Sequence, residues 1–520
     1  MIKQRGDTMK FTKILAVIVM LMLLLPACDM VQNGEVVQIK LRDDGVQVDG
    51  KTASTSTSSA VYIANDIIYY EAGKDFTYGE GTEADAHTAQ EAAAHTVVHI
   101  TKPGTYSLSG KLSKGQIAVD LGEDAEDDPA AVVTLILNGA DITCQVAPAV
   151  IFYNVHECGD KDAPKKDVDT SAAGANVVIT DGTENNINGA YVARIYKPGS
   201  VELNEEGTEV KDSKKLHKYD AAFYSKMSMN ISGGGTLNIR AENEGLDSEM
   251  HLTINGGNIN IFSGNDGINT NEDGVSVTTI NGGVVNIQVT GETGEGDGID
   301  SNGWLVINGG EVYAAACSTS MDSGIDSDMG IHINGGTVIA TGGMLDRIQD
   351  GGQTYGVFSF DGKQSGADTI ILKDEKGNTV MSHCPKNDWS ILVYSSDELK
   401  PGTYTLWNGD QQLGGQGGMA GKPGMGFGGG QPPHGEPPEG FVPPEEQGRA
   451  PFDEERPEGI APPEGERPEG FTPPEGGNPH GRPEDQGGRP SFEGGAVGER
   501  AAQFVIQKGG NMFSGIAPLE

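Results

Sequence analysis

Cations, aromatic rings and long apolar runs are scarce in this chain, and each scarcity excludes something. Only 36 Lys and Arg stand against 75 Asp and Glu, a net charge of -39. A nucleic-acid surface needs a basic footprint, so no nucleic-acid partner is expected, and direct attraction to anionic lipid is equally disfavoured. Three Trp among 520 residues, beside 77 glycines, point away from an enzyme built of helices. The five cysteines include no CxxC pair, so zinc is not expected; a Cys144 to Cys158 bridge and buried free thiols are both open readings. There is no GxSxG, HExxH or P-loop, since Gly421-Lys422 runs into Pro423.

The single long apolar run, Ile14 to Leu25, follows Lys3, Arg5, Lys10 and Lys13 and ends in Leu25-Pro26-Ala27-Cys28. A basic start, a short apolar stretch and a small residue describe an export signal, too short to span a bilayer comfortably. The Leu-x-Ala-Cys ending resembles the bacterial lipobox, which makes residues 1–28 a lipoprotein signal peptide and Cys28 the lipidated first residue of the mature chain. The expected address is the extracellular face of the cell membrane. Residues 29–60, closing with a Ser/Thr run at 52–59, have the composition of a flexible tether. The body is expected over 61–411. Beyond Trp407 the composition turns to Gly, Pro and Glu, predicting a disordered insertion over 412–500. Renewed alternation at Gln503-Phe-Val-Ile506 predicts that 501–520 returns to the body as a strand.

Short apolar alternations such as Val97-Val-His-Ile100 and Val132-Val-Thr-Leu-Ile-Leu137, with no helical-period segments between them, predict an all-β chain. A repeat refines this. Ile254-Asn-Gly-Gly-Asn-Ile-Asn-Ile261 is followed by Ile280-Asn-Gly-Gly-Val-Val-Asn-Ile287, Ile307-Asn-Gly-Gly-Glu-Val-Tyr313 and Ile333-Asn-Gly-Gly-Thr-Val-Ile339. With Ile231-Ser-Gly-Gly-Gly-Thr-Leu-Asn-Ile239 before them, the glycine pairs recur every 22 to 27 residues, a solenoid period. One β-helix coil of three short strands fits it. Stacked coils lie about 4.8 Å apart, so Asn255, Asn281, Asn308 and Asn334 are expected to form an asparagine ladder beside glycines that allow positive φ.

A second ladder runs between the glycine pairs: Glu244-Gly-Leu-Asp-Ser248, Asp266-Gly-Ile-Asn-Thr270, Asp297-Gly-Ile-Asp-Ser301 and Ser323-Gly-Ile-Asp-Ser327, the last with Asp322 adjacent. The central Leu or Ile is expected to point inward and the acids outward or into a turn. Stacking brings Asp247, Asn269, Asp300 and Asp326 together, and likewise Glu244, Asp266 and Asp297. Two carboxylates about 4.8 Å apart repel by about 3–4 kcal/mol at an effective dielectric of about 20, so cations are expected between them. Calcium prefers such an oxygen set, whereas zinc would want His or Cys. Glu244, Asp247, Asp266, Asn269, Asp297, Asp300, Asp322 and Asp326 are therefore the candidate calcium ligands. Lys226 and Arg240 are candidate glycan ligands by their nearness in sequence to this ladder.

These repeats, with Ile100-Thr-Lys-Pro-Gly-Thr-Tyr-Ser-Leu-Ser-Gly110, Asp220-Ala-Ala-Phe-Tyr-Ser-Lys226 and Asn387-Asp-Trp-Ser-Ile-Leu-Val-Tyr-Ser-Ser396 in order, resemble the bacterial cell-surface carbohydrate-binding domain family with a pectate-lyase-like fold. The likeness runs over roughly 97–410, with a return near 502–517. The resemblance implies a right-handed parallel β-helix that holds calcium and binds acidic polysaccharide of the polygalacturonate or pectin type. Ala222-Phe-Tyr224 and Ser323 depart from the acidic pattern, so not every coil is expected to hold a metal. The expected activity is non-catalytic glycan binding by a monomer. A polysaccharide lyase of the same fold, in which a Lys or Arg removes a sugar proton beside calcium, and an adhesin-like structural solenoid are the rival readings.

Overall fold

The computed structural model describes residues 35–417 and 500–519. The export signal with Cys28, and almost all of the stretch expected as an insertion, lie outside them. The described chain is all-β but for one helix, Ala89–Ala93, and a single 3₁₀ turn, Glu123–Ala125. Its sheets are mixed, with long parallel ladders at the centre and antiparallel strands at both ends.

The repeats up to Ala315 each contribute three strands, one to each of three parallel ladders, and the last contributes two, Gly330–Ile333 and Thr337–Gly342. Glu244–Ser248, Leu252–Ile254 and Asn258–Ser263 form one such set. Ile268–Thr270, Val277–Ile280 and Val284–Val289 form the next, then Ile299–Ser301, Trp304–Ile307 and Glu311–Ala315. Successive sets pair in parallel register, as in Leu246 with Ile268 and Ile268 with Ile299. Inward positions carry aliphatic side chains, so Leu246, Ile268, Ile299 and Ile325 stack in the core, each 0–1% exposed. Burying one such side chain stabilises by about 1.5–3 kcal/mol.

Two kinds of glycine make the stacking possible. The second glycine of each pair, Gly257, Gly283, Gly310 and Gly336, has a φ between 80° and 98° that other residues rarely adopt. The expected asparagine ladder forms beside them: Asn281, Asn308 and Asn334 each donate from Nδ2 to the Oδ1 of the preceding member at 2.8–2.9 Å. Gly245, Gly267, Gly298 and Gly324 instead sit where neighbouring backbone passes too close for a side chain. A Cβ on Gly245 or Gly267 would lie 2.5 Å from the carbonyl oxygen of the next glycine in the row.

Two expectations need correction, and one open reading is resolved. Residues 35–60 are part of the body, not a tether: Val37–Leu41 pairs in parallel with Tyr106–Gly110, and Ile39 and Leu41 are buried. Its Val-x-Ile-x-Leu alternation closes the open edge of the first coil, which the polar composition around it obscured. The body also extends past 411, because Gln411–Gly417 pairs with Gly402–Asn408 and with Gly510–Pro518. No disulfide forms among the described residues; all four cysteines there are free, and burial pushes the Cys144 thiol up to about 12.

At the far end, the last strand of one ladder, Thr337–Gly342, pairs antiparallel with Trp389–Ser395. Gly510–Pro518 returns to lie parallel with Tyr355–Gln364, and Phe504–Ile506 pairs with Gly402–Asn408. Phe358, Phe504, Phe513, Leu392 and Trp389 give this end a core of its own. Such a cap removes an exposed sheet edge that could template aggregation.

The glycine row yields a test. Gly298→Ala forces a Cβ against the Gly324 carbonyl and the Ala314 side chain, and should destabilise by about 1–3 kcal/mol in urea unfolding. Gly362→Ala, where a Cβ meets nothing within 4 Å, should stay within about 0.5 kcal/mol of the parent. Equal midpoints for the two variants would refute the close-approach argument.

Candidate functional site

The acids of the second ladder stand in the register the repeats predict. Asp247 pairs with Asn269 and Asn269 with Asp300, while Tyr224 holds the same position one coil earlier. Of the two placements expected, outward or into a turn, the outward one does not hold for most of these acids. Asp247 is fully buried, and Glu244, Asn269 and Asp326 are 6–7% exposed. Asp266, Asp297 and Asp300 are half-buried.

Backbone and amide donors hold these carboxylates in place. Both oxygens of Asp247 accept from Asn271 Nδ2 at 3.0 Å. Asp266 Oδ1 accepts the Asp297 N–H at 2.7 Å, and Asp297 Oδ1 accepts the Ser323 N–H at 2.5 Å. Asn269 Nδ2 donates to Glu244 Oε1 at 3.3 Å. The other Glu244 oxygen, Oε2, and the Asn269 carbonyl Oδ1 are buried with no hydrogen-bond partner. Two unsatisfied buried acceptors in adjoining rows of this ladder call for a cation or proton.

Two groups of three carboxylates emerge, each with ligand atoms within 4.8 Å of one another: Asp220, Glu244 and Asp247, and Asp297, Asp300 and Asp326. Asp220 was not among the expected ligands. Its coil carries Ala221 where the next has Glu244 and Tyr224 where the next has Asp247, which hides its membership. It is ion-paired with Lys218 at 2.6 Å. Asp266 and Asp322, both expected ligands, fall in neither group; Asp266 accepts the Asp297 N–H, and Asp322 Oδ2 accepts from the Gly296 N–H, Ser320 and Cys317. Both groups offer oxygen alone, which suits a hard divalent cation.

The electrostatics point the same way. Burial, then Asp220, pushes the Glu244 carboxyl up to about 8. Burial, then Glu244 and Glu249, holds Asp247 well above the usual carboxylate range. Asp266 is raised by burial and then by Glu244, Asp297 and Asp300; Asp297 by burial and then by Asp326 and Asp300. Burial and mutual repulsion thus oppose ionisation of all these acids together, and a cation would relieve both.

The two expected glycan ligands are not brought together. Lys226 lines a small cavity of about 220 Å³ with Lys215, Lys218, Tyr224 and Glu249. Arg240 lies on a different ladder, exposed, with its guanidinium 4.4 Å from the centre of the Phe262 ring.

A carboxyl raised in the folded state binds protons more tightly than in the unfolded chain, so the stability it adds is lost as pH rises through the folded value. In chelator, the unfolding temperature should fall from about pH 5 toward pH about 8, and Glu244→Gln should flatten part of that fall. A chelated protein whose stability is level or rises over this range would show that the acids ionise without penalty.

Comparison with known proteins fits the repeats. A family model described as "Carbohydrate-binding domain-containing protein" matches residues 94–376, more than half of the chain. A carbohydrate-binding domain-containing protein of Acetivibrio thermocellus is 30% identical over 165 residues, 32% of this chain and 44% of that protein. The matched part thus spans less than half of that relative's length. A solved structure described as the polysaccharide lyase-like protein from C. thermocellum, gadolinium derivative, aligns with 57% of this chain and 91% of its own at 20% identity and a TM-score of 0.32. On the match over 94–376, this chain belongs to the carbohydrate-binding domain-containing protein family.

Proposed function

We propose that the protein binds acidic polysaccharide through calcium, without catalysis, on a right-handed parallel β-helix tethered to the extracellular face of the cell membrane by lipid on Cys28. The observation that carries the calcium reading is the pair of oxygen-only triads with two orphaned buried acceptors, Glu244 Oε2 and Asn269 Oδ1, set in a carbohydrate-binding family domain.

The triads differ in access, and this divides their roles. Asp220, Glu244 and Asp247 are all buried, which suits a cation that only stiffens the coils. Asp297 and Asp300 are half-buried, so a cation there keeps a side open to a glycan carboxylate. Bound calcium supplies positive charge that neutralises stacked acids and links them to an anionic sugar. The protein's own residues fix the oxygens in advance: Asn271 orients Asp247, and Ser323 orients Asp297. Such preorganisation lowers the ordering cost of binding.

Three parallel strands per repeat, in unbroken parallel register, support the β-helix reading. Lys218 is ion-paired with Asp220 at 2.6 Å; burial alone would lower its pKa, but Asp220, Glu244 and Asp247 raise it above the ordinary lysine value, which suits a counter-ion to the acids.

Calcium binding only to the folded state should raise the unfolding temperature by mass action, adding about 2.7 kcal/mol at a hundredfold excess over Kd. Asp300→Ala and Asp266→Ala should weaken that response. Polygalacturonate retention should require calcium and yield no unsaturated, ultraviolet-absorbing product. Product formation would establish a lyase, and indifference to chelator in both melting and retention would remove calcium from the reading. Cys28→Ala should move the protein out of the membrane fraction; an unchanged fraction would remove the lipid anchor.

A further inference from the structure

A groove of about 460 Å³ runs across the outer face of the third ladder, away from the acids. Its floor is built from Thr236–Ala241, Asn258–Ser263, Val284–Val289 and Glu311–Ala315, and its wall from residues 383–386. The alternation that sends Ile239, Ile261 and Ile287 into the core turns the intervening side chains out.

Asn186, Asn238, Asn260 and Asn286 stack there as a second asparagine ladder, each Nδ2 after the first donating to the preceding Oδ1 at 2.9 Å. Asn238 Nδ2 also reaches Glu184 Oε1 at 3.0 Å. Each amide engaged this way has further donor and acceptor capacity. Stacked coils repeat that capacity about every 4.8 Å along the groove, which matches an extended polymer whose hydroxyls recur along its length.

The charge of the groove is opposite to that of the protein. In a chain with 75 acids and 36 Lys and Arg, the charged residues lining the groove are Arg240 and Lys386, with Glu184 and Glu311 at its edge, where they accept from Asn238 and Tyr313. Both cations are exposed, and neither is ion-paired with any described residue. The Phe262 ring beneath Arg240 holds the guanidinium by a cation–π contact at 4.4 Å. Lys386 sits in a left-handed conformation, φ 83°, unusual for a residue with a side chain. The wall is fastened there: the Lys386 N–H donates to the Gly366 carbonyl at 2.8 Å, and Asn387 Nδ2 donates to the carbonyls of Val289 and Ala316 at 2.5 and 2.7 Å. Tyr313 and His383 stack across floor and wall at 5.4 Å.

We infer that this groove is a glycan subsite for a uronate-bearing chain segment, with the amide ladder meeting hydroxyls and Arg240 and Lys386 meeting carboxylates. It rests on the carbohydrate-binding reading above and gives that reading a second surface, distinct from the acid ladder. Arg240 thus keeps the glycan role expected of it, but in company with Lys386 and the amides, not with Lys226. Arginine suits the task because its planar fork matches a carboxylate.

The test is calorimetric titration of the full-length protein, in calcium, with oligogalacturonate and with the same oligomers methyl-esterified. Arg240→Gln and Lys386→Gln should each weaken oligogalacturonate binding by about tenfold or more, while the calcium-induced rise in unfolding temperature stays at its parent value. That unchanged rise reports both intact folding and an untouched acid ladder. Parent affinity in both variants would overturn the groove assignment and leave the proposed function standing. Equal affinity of the parent for esterified and free oligomers would overturn the carboxylate class. A parent protein that binds neither would overturn the proposed function and this inference together.

Discussion

Coil stacking at the strand spacing governs this protein. Backbone pairing sets successive coils about 4.8 Å apart, and whatever stands at one position of the repeat is then presented again at that distance. For isoleucine the result is a continuous core, and for asparagine a chain of amide hydrogen bonds. For glutamate and aspartate it is a row of carboxyl groups that backbone geometry compels to remain adjacent whatever their mutual repulsion. The same rule that stabilises one face therefore creates a demand for positive charge on another. Lys218 meets part of it at Asp220.

The repeat made much of this legible. Equal offsets from the glycine pairs placed Asp247, Asn269 and Asp300 in one row, and Asn255 through Asn334 in another, because register in stacked strands follows from spacing alone. Burial was not legible. A short polar strand reads as an exposed turn unless one knows that another segment covers it, and here Lys215–Tyr219 supplies part of the cover from an irregular insertion. Asp220 was obscured for the same reason, since it stands at the end of that insertion and not within a clean repeat. Asp322 shows the reverse error: one residue off the row, it turns instead to Gly296, Ser320 and Cys317.

Nearness in sequence also misled where the chain turns a corner. Lys226 and Arg240 are separated by fourteen positions, yet one follows the acid ladder and the other lies on the third ladder. The second asparagine ladder was present in the Thr-Leu-Asn-Ile, Asn-Ile-Asn-Ile and Val-Val-Asn-Ile repeats. It escaped notice because alternation draws attention to the residues that point inward. The apolar pattern defines the outward residues only by exclusion.

The cap also decides how the chain accommodates what lies between its two described parts. Gly415 and Ala501 exchange a pair of backbone hydrogen bonds, 3.0 and 2.9 Å, so the chain leaves the cap and re-enters it at one point. The two ends therefore meet at one point of the cap, so the sheet that holds them needs no help from residues 418–499 to bring them together.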